Sequence, residues 1–270
     1  MGAVQGDNDP AGGPLPPFLD ERELIEVEHA RYDSRVGLRA AFFDVGDTLV
    51  EGWKPPDELR AMLRAALVAA FGERDWYDRF TAADLERPDP ADLGHPDRQD
   101  TLGWFARWFA AEGIQCDIDI DRLRVVAAIP LETVSRPVPG AGDALRWCKR
   151  QGLRVVLVTN TLSRGDAEVL RDWERVGLAD HLDGIVSSHS TGWRKPHPAM
   201  FERALGLAAV RPDEAVMIGD DPIADIRGAG RLGLRTVYRR TTTRPLPADV
   251  RPDAVVDDLT PVPEVLRRWL

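Results

Sequence analysis

The chain has 270 residues, 43% hydrophobic and 30% charged, enough to bury a core as one large domain or two small ones. Its 35 basic and 45 acidic side chains leave a formal charge of −10, which argues against nucleic acid as a main partner, since that partner's footprint is a basic face. Cys116 and Cys148 are too few for a disulfide framework, and no apolar run approaches the ~18 residues of a membrane span.

The N-terminal stretch MGAVQGDNDPAGGPLPPF has neither the basic nor the apolar region of a secretory signal, and position 6 lacks the Ser or Thr of a myristoylation pattern, so a cytoplasmic protein is expected. Residues 1–37 read as an N-terminal extension, partly disordered: 1–18 are rich in Gly, Pro and Asp, and 19–34 predict a short acidic helix with Leu24, Ile25 and Val27 as its few apolar positions. From Leu38 the pattern changes. LRAAFFDV reads as a buried strand that stops at Asp44.

Residues 51–135 predict helices, in ELRAMLRAALVAAF and TLGWFARWFAAEG, separated by the polar loop 87–100. This segment reads as a small helical domain inserted after the first strand. Trp104, Phe105, Trp108 and Phe109 form a stripe of the kind that packs a core. Arg98, Arg107 and Arg136 are surface charges, or anion contacts on the inserted side.

Beyond residue 136 five more apolar runs predict strands, at 154–160, 183–189, 214–221, 234–240 and 253–259. Helical patterns fill 140–152, 163–177, 198–206 and 223–233. Strands alternating with helices imply a Rossmann-like α/β core, a parallel sheet flanked by helices, over 38–50 and 136–270. Ligands of such sheets sit at the carboxyl ends of the strands, where Asp44, Thr159, Asn160 and Asp220 fall.

Lys195 lies in the turn-rich GWRKPHP, and Asp220, Asp221 and Asp225 cluster in GDDPIADIRGAG. Several carboxylates, one lysine and neutral hydrogen-bonders suit a hard cation such as Mg2+ beside a phosphate, with Asp44 able to attack phosphorus in line. Each residue also has a plainer reading: Asp44 and Asp221 as caps, Thr159-Asn160 as a turn, Lys195 at the surface, Asp225 paired with Arg227 or Arg231. The five histidines, His29, His95, His181, His189 and His197, are scattered and form no metal set.

Four stretches in order, FDVGDTLV, VLVTN, RKPHPAMF and GDDPIAD, resemble the motifs of the haloacid dehalogenase superfamily, and the helical insertion resembles its first class of cap. The resemblance covers roughly Leu38 to Leu270 and implies a hydrolase of small-molecule phosphate esters that uses Mg2+, with no nucleic acid or membrane partner. It implies catalytic roles for Asp44, Thr159 and Lys195. Thr48, Thr159, Asn160 and Lys195 would surround the phosphate, and Asp44, the Gly46 carbonyl, Asp220 and Asp225 the metal. The departure is Gly46, where phosphatases of the family carry an Asp that protonates the leaving alcohol; such help is worth ~10²–10⁴ in rate. Three readings stay open: a metal-dependent phosphohydrolase, a metal-independent haloacid dehalogenase, and a binding protein without turnover. Substrate identity and oligomeric state are not written in any of these motifs.

Overall fold

The computed structural model describes residues 37–84 and 94–270. The disorder expected over 1–18, the helix expected over 19–34 and the first part of the loop expected over 87–100 lie outside the described residues.

Strand β1, Ala40–Phe43, is buried on both faces. Ala40 and Phe42 point into one apolar cluster with Met200 and Phe201, while Ala41 and Phe43 point into another with Leu145 and Trp173. The period-two alternation of a strand thus serves two layers of helices at once. The two-residue β2, Val50–Glu51, follows, then the insertion: α1 Pro56–Phe71, α2 Tyr77–Asp84, α3 Thr101–Ala111, α4 Ile120–Ala127 and α5 Leu131–Val134. Strand β3, Arg136–Pro137, returns the chain by pairing antiparallel with β2, Val50 opposite Pro137. That pair, two residues a side, is too short to show a pattern in the sequence.

The chain continues through α6 Ala141–Arg150, β4 Arg154–Thr159, α7 Asp166–Arg175, β5 Gly184–Ser187, α8 Ser188–Thr191, α9 Pro198–Ala208 and β6 Ala215–Gly219. After β6 a wide π-type turn, Pro222–Arg227, leads into α10 Gly228–Arg231, where a single helix over 223–233 was expected. Strands β7 Arg235–Arg239 and β8 Ala254–Val256 and helix α11 Val262–Arg267 complete the core. The six predicted runs form one six-stranded parallel sheet in the order β5-β4-β1-β6-β7-β8. The connections run outward in both directions from β1, so a crevice opens at the carboxyl ends of β1, β4 and β6.

The inserted helices bury an apolar cluster of their own around Leu63, Leu67, Trp76, Phe80, Phe105 and Phe109. Phe80 stacks on Phe109 at 5.9 Å, and Trp76 meets Phe109 edge-on at 5.0 Å. The aromatic stripe read from the sequence is core packing. Among the described residues, no helix is long and apolar enough to cross a membrane.

Candidate active site

Asp44 follows β1 directly and is 7% exposed, at the bottom of the crevice. Its Oδ1 accepts a hydrogen bond of 2.6 Å from Lys195 Nζ, which also donates to the Val158 carbonyl at 2.6 Å. Asp225 Oδ1 lies a further 2.6 Å from the same ammonium, without the alignment of a hydrogen bond. Burial works against the charge on Lys195, but Asp225 and Asp44 outweigh it and hold the ammonium above the ordinary lysine value.

Asp220, next after β6, is wholly buried. Burial, with the Asp44 and Asp225 charges adding to it, pushes its carboxyl up to about 8. Burial raises Asp225 to about 7, against the pull of Lys195. The two carboxyls and Asp44 each offer an oxygen within 4.8 Å of the others, a set of hard donors that fits a divalent cation. Lys195 and Arg244 supply two positive charges to the three acids, so the cluster has room for more.

The backbone around the site is shaped to this cluster. A Cβ on Gly219 would come within 2.2–2.5 Å of the Asp225 carboxylate, so only glycine lets that side chain fold back under the strand end. Asp225 Oδ2 then accepts the Asp221 N–H at 3.0 Å. Asp221 itself caps the π-type turn, accepting the Ile223 and Ala224 N–H groups at 2.9 Å each.

The expected site residues fall into three groups: those that line the crevice, Thr159 in an adjoining cavity, and Thr48 and Asp220, fully buried behind the crevice wall. Asp44, Gly46, Lys195 and Asp225 line a crevice of about 220 Å³, whose wall Asn160 also joins. Thr159, 4% exposed at the end of β4, lines an adjoining cavity. Thr48 does not line the crevice. It is fully buried, and its hydroxyl donates to Asp220 Oδ1 at 3.4 Å, so it orients that carboxylate rather than meeting a phosphate. The Asn160 side chain is also committed: its Oδ1 accepts the Lys195 N–H at 2.8 Å, and its Nδ2 donates to the Lys195 carbonyl at 3.0 Å. It fixes the lysine loop, leaving its backbone for any contact with a ligand. A strap from the insertion does the same work, with the Arg194 N–H donating to the Asp97 carbonyl at 2.7 Å and the Gln99 N–H to the Gly192 carbonyl at 3.0 Å.

None of the three candidate anion contacts reaches into the crevice. Arg98 lies over Trp193 at 4.5 Å, Arg107 pairs with Asp100 at 3.1 Å and Arg136 with Glu51 at 3.3 Å. His197 stacks on Trp193 at 3.7 Å and caps α9. Asp225 pairs with Lys195 rather than with Arg227 or Arg231.

Two crevice residues carried no signal in the sequence. Arg244, from the loop after β7, donates to Asp220 Oδ2 at 2.8 Å. Trp53 donates its indole N–H to Asp47 Oδ1 at 2.9 Å. Asp47 adopts a left-handed backbone, φ 53°, and its carbonyl accepts from Arg239 at 2.7 Å, which pins the loop after β1. Both arise from loop geometry that no periodicity encodes.

Residues 38–233 match the family model described as haloacid dehalogenase-like hydrolase. The chain belongs to this family. Among curated proteins, the haloacid dehalogenase-like chain is 34% identical over 142 residues to the glyceraldehyde 3-phosphate phosphatase of Pyrococcus furiosus, covering 50% of this chain and 57% of that one. It spans about half the length of the first curated relatives it matches, 49% for the phosphoserine phosphatase of Thermus thermophilus, at 37% identity over 46% of this chain. Among solved structures, the haloacid dehalogenase-like phosphatase from Thermococcus onnurineus superposes with a TM-score of 0.56 at 20% identity, covering 85% of this chain and 98% of that one. A 2-haloacid dehalogenase from Pseudomonas syringae superposes about as well, with a TM-score of 0.54 at 25% identity over 86% and 100% of the two chains. The haloacid dehalogenase-like fold therefore hosts both chemistries, and the choice between them rests on the site.

Proposed function

We propose that this chain is a phosphohydrolase that cleaves a small organic phosphate monoester through an aspartyl-phosphate on Asp44. The observation that carries the reading is the meeting of Asp44, Asp220 and Asp225 within 4.8 Å, with Lys195 bonded to Asp44. A metal-independent haloacid dehalogenase has no use for a set of three buried carboxylates that fits a divalent cation. The named phosphatases among its relatives point the same way.

Asp44, Asp220, Asp225 and the carbonyl of Gly46 would hold a Mg2+ ion, which when bound neutralises phosphate charge and so lets an anionic ester approach a carboxylate. Lys195 keeps one Asp44 oxygen oriented and offers its ammonium to the phosphoryl group. The Thr159 hydroxyl and the backbone at Asn160 orient that group from the β4 side. Asp44 attacks phosphorus and the ester oxygen leaves; water then releases phosphate and restores the carboxylate. Residues 51–135 act as the cap over a core formed by 38–50 and 136–270, in the cytoplasm, where free Cys116 and Cys148 stay reduced.

Phosphate release from a panel of monoesters, with Mg2+ and with EDTA, tests the reading. Activity should require the metal and fall by more than about 10³-fold in Asp44→Asn. Metal-dependent release that survives in the variant would refute the nucleophile.

A further inference from the structure

Beside the crevice lies a second cavity, of about 270 Å³, between the inserted helices and the loop after β4. The two share Gly46, Trp53 and Asn160 as a common wall, so whatever leaves a phosphoryl group held at Asp44 on that side enters this cavity. Its walls are mostly apolar: Leu59 and Leu63 from α1, Ile129 and Leu131 from the end of the insertion, and Val169 from α7, with Trp53 at the mouth. Arg164, the charged side chain among the described residues lining it, is tied to Asp172 at 3.0 Å and to the Ile129 carbonyl. Thr161 is likewise engaged, donating to the Arg164 carbonyl at 2.6 Å. A polyhydroxylated leaving group placed here would give up water for few new hydrogen bonds, whereas an apolar one loses nothing polar. A dry cavity of about 150 Å³ already holds a benzene ring, so this one has room for a bicyclic group.

The wall facing Asp44 adds a second, independent constraint. Gly46 carries no acid, and the Asp47 carboxylate beside it in the crevice is turned to the Trp53 indole N–H at 2.9 Å, so the leaving oxygen departs without a proton from either position. An alkyl alcohol, with acidity near water's value of roughly 16, leaves poorly under those terms; a phenol, at roughly 10, leaves readily as its anion.

We infer that the ester hydrolysed at this site is an aryl phosphate, its ring seated in the cavity between Trp53, Leu59, Leu63 and Ile129. This rests on the phosphohydrolase reading and narrows it to a substrate class. In the first step an Asp44 oxygen bonds to phosphorus and the phosphorus–aryl oxygen bond breaks, its electron pair leaving with the phenolate, which takes a proton from solvent. In the second, water bonds to phosphorus, the bond to Asp44 breaks, the carboxylate returns, and the water's proton passes to bulk.

The test compares kcat/KM for acetyl, phenyl and 1-naphthyl phosphate and glucose 6-phosphate, in the wild type and in Leu59→Gln. Acetyl phosphate reports phosphoryl transfer without filling the cavity. Phenyl and naphthyl esters leave with similar ease, so their ratio reads the cavity rather than the chemistry. The expected result is a naphthyl-to-phenyl ratio of about tenfold or more, little turnover of glucose 6-phosphate, and a naphthyl-to-acetyl ratio that drops about tenfold in the variant. Ile129→Thr repeats the comparison should Leu59→Gln fold poorly. Turnover of acetyl phosphate with a naphthyl-to-phenyl ratio near one, or with glucose 6-phosphate the best ester, would overturn the aryl assignment while leaving the phosphohydrolase standing. Silence on every substrate would overturn the phosphohydrolase, and this inference with it.

Discussion

At position 46 a Cβ would rest 3.5 Å from the Trp53 ring, an ordinary contact, so an acid can be restored there without backbone strain. Gly46→Asp should raise turnover of alkyl phosphates by up to the ~10²–10⁴ typical of a general acid, while changing aryl esters little. Steady-state rates on paired alkyl and aryl esters read the difference; equal gains on both would mean that proton donation is not what Gly46 withholds. Arg244 offers a second residue-scale prediction. Its guanidinium is 37% exposed and holds Oδ2 of the wholly buried Asp220, so a cation binding there must displace that ion pair. Arg244→Gln should therefore tighten Mg2+ binding in calorimetry. Weaker binding would show that the arginine assembles the site rather than competes for it.

Single elements carry the join between insertion and core. Arg124 of α4 donates to Glu168 Oε2 of α7 at 2.9 Å and to the Ser163 carbonyl at 2.7 Å, all nearly buried. Burial opposes the Glu168 charge, but the hydrogen bonds from Arg124 and the Gly165 N–H win and hold its carboxyl at about 2, below an ordinary value of 4.5. A depressed acid stabilises the fold fully above its unfolded value and loses that contribution as pH falls through its folded one. Glu168→Gln should then cost about 3 kcal/mol at pH 7, and the gap from wild type should close between pH 4.5 and pH 2 in thermal melts. A gap independent of pH would exclude the ion pair as its source. None of this link was legible in the sequence, because Arg124 and Glu168 are 44 residues apart and neither sits in a motif. The core strands were legible because each is an apolar run bounded by polar residues. The β2–β3 pair was not, at two residues a side, nor were α2, α4 and α5, whose short patterns give periodicity too few turns to show.

The molecule as a whole keeps the apolar core of the insertion apart from the two that flank the sheet. The cluster around Phe80 shares no residue with those that sandwich the sheet. Phe80→Ala should cost about 3–5 kcal/mol locally and speed amide exchange across α1–α4, while β1, β4 and β6 stay protected. Uniform exchange would mean that the two parts unfold as one. At this scale the sequence pointed to the strand ends at a switch point, and the structure brings Asp44, Asp220 and Asp225 together there, with Thr159 in the adjoining cavity. The sequence misjudged the errands of Thr48 and Asn160, which depend on where a loop turns a side chain. The central claim is the covalent intermediate on Asp44, and the most direct measurement is to quench the enzyme during turnover with an aryl phosphate, reduce it with borohydride and sequence the peptide spanning 38–50 by mass spectrometry. The account predicts homoserine at position 44, from reduction of an acyl phosphate, in the wild type and none in Asp44→Asn. Rapid phosphate release with Asp44 recovered unmodified at every quench time would contradict it.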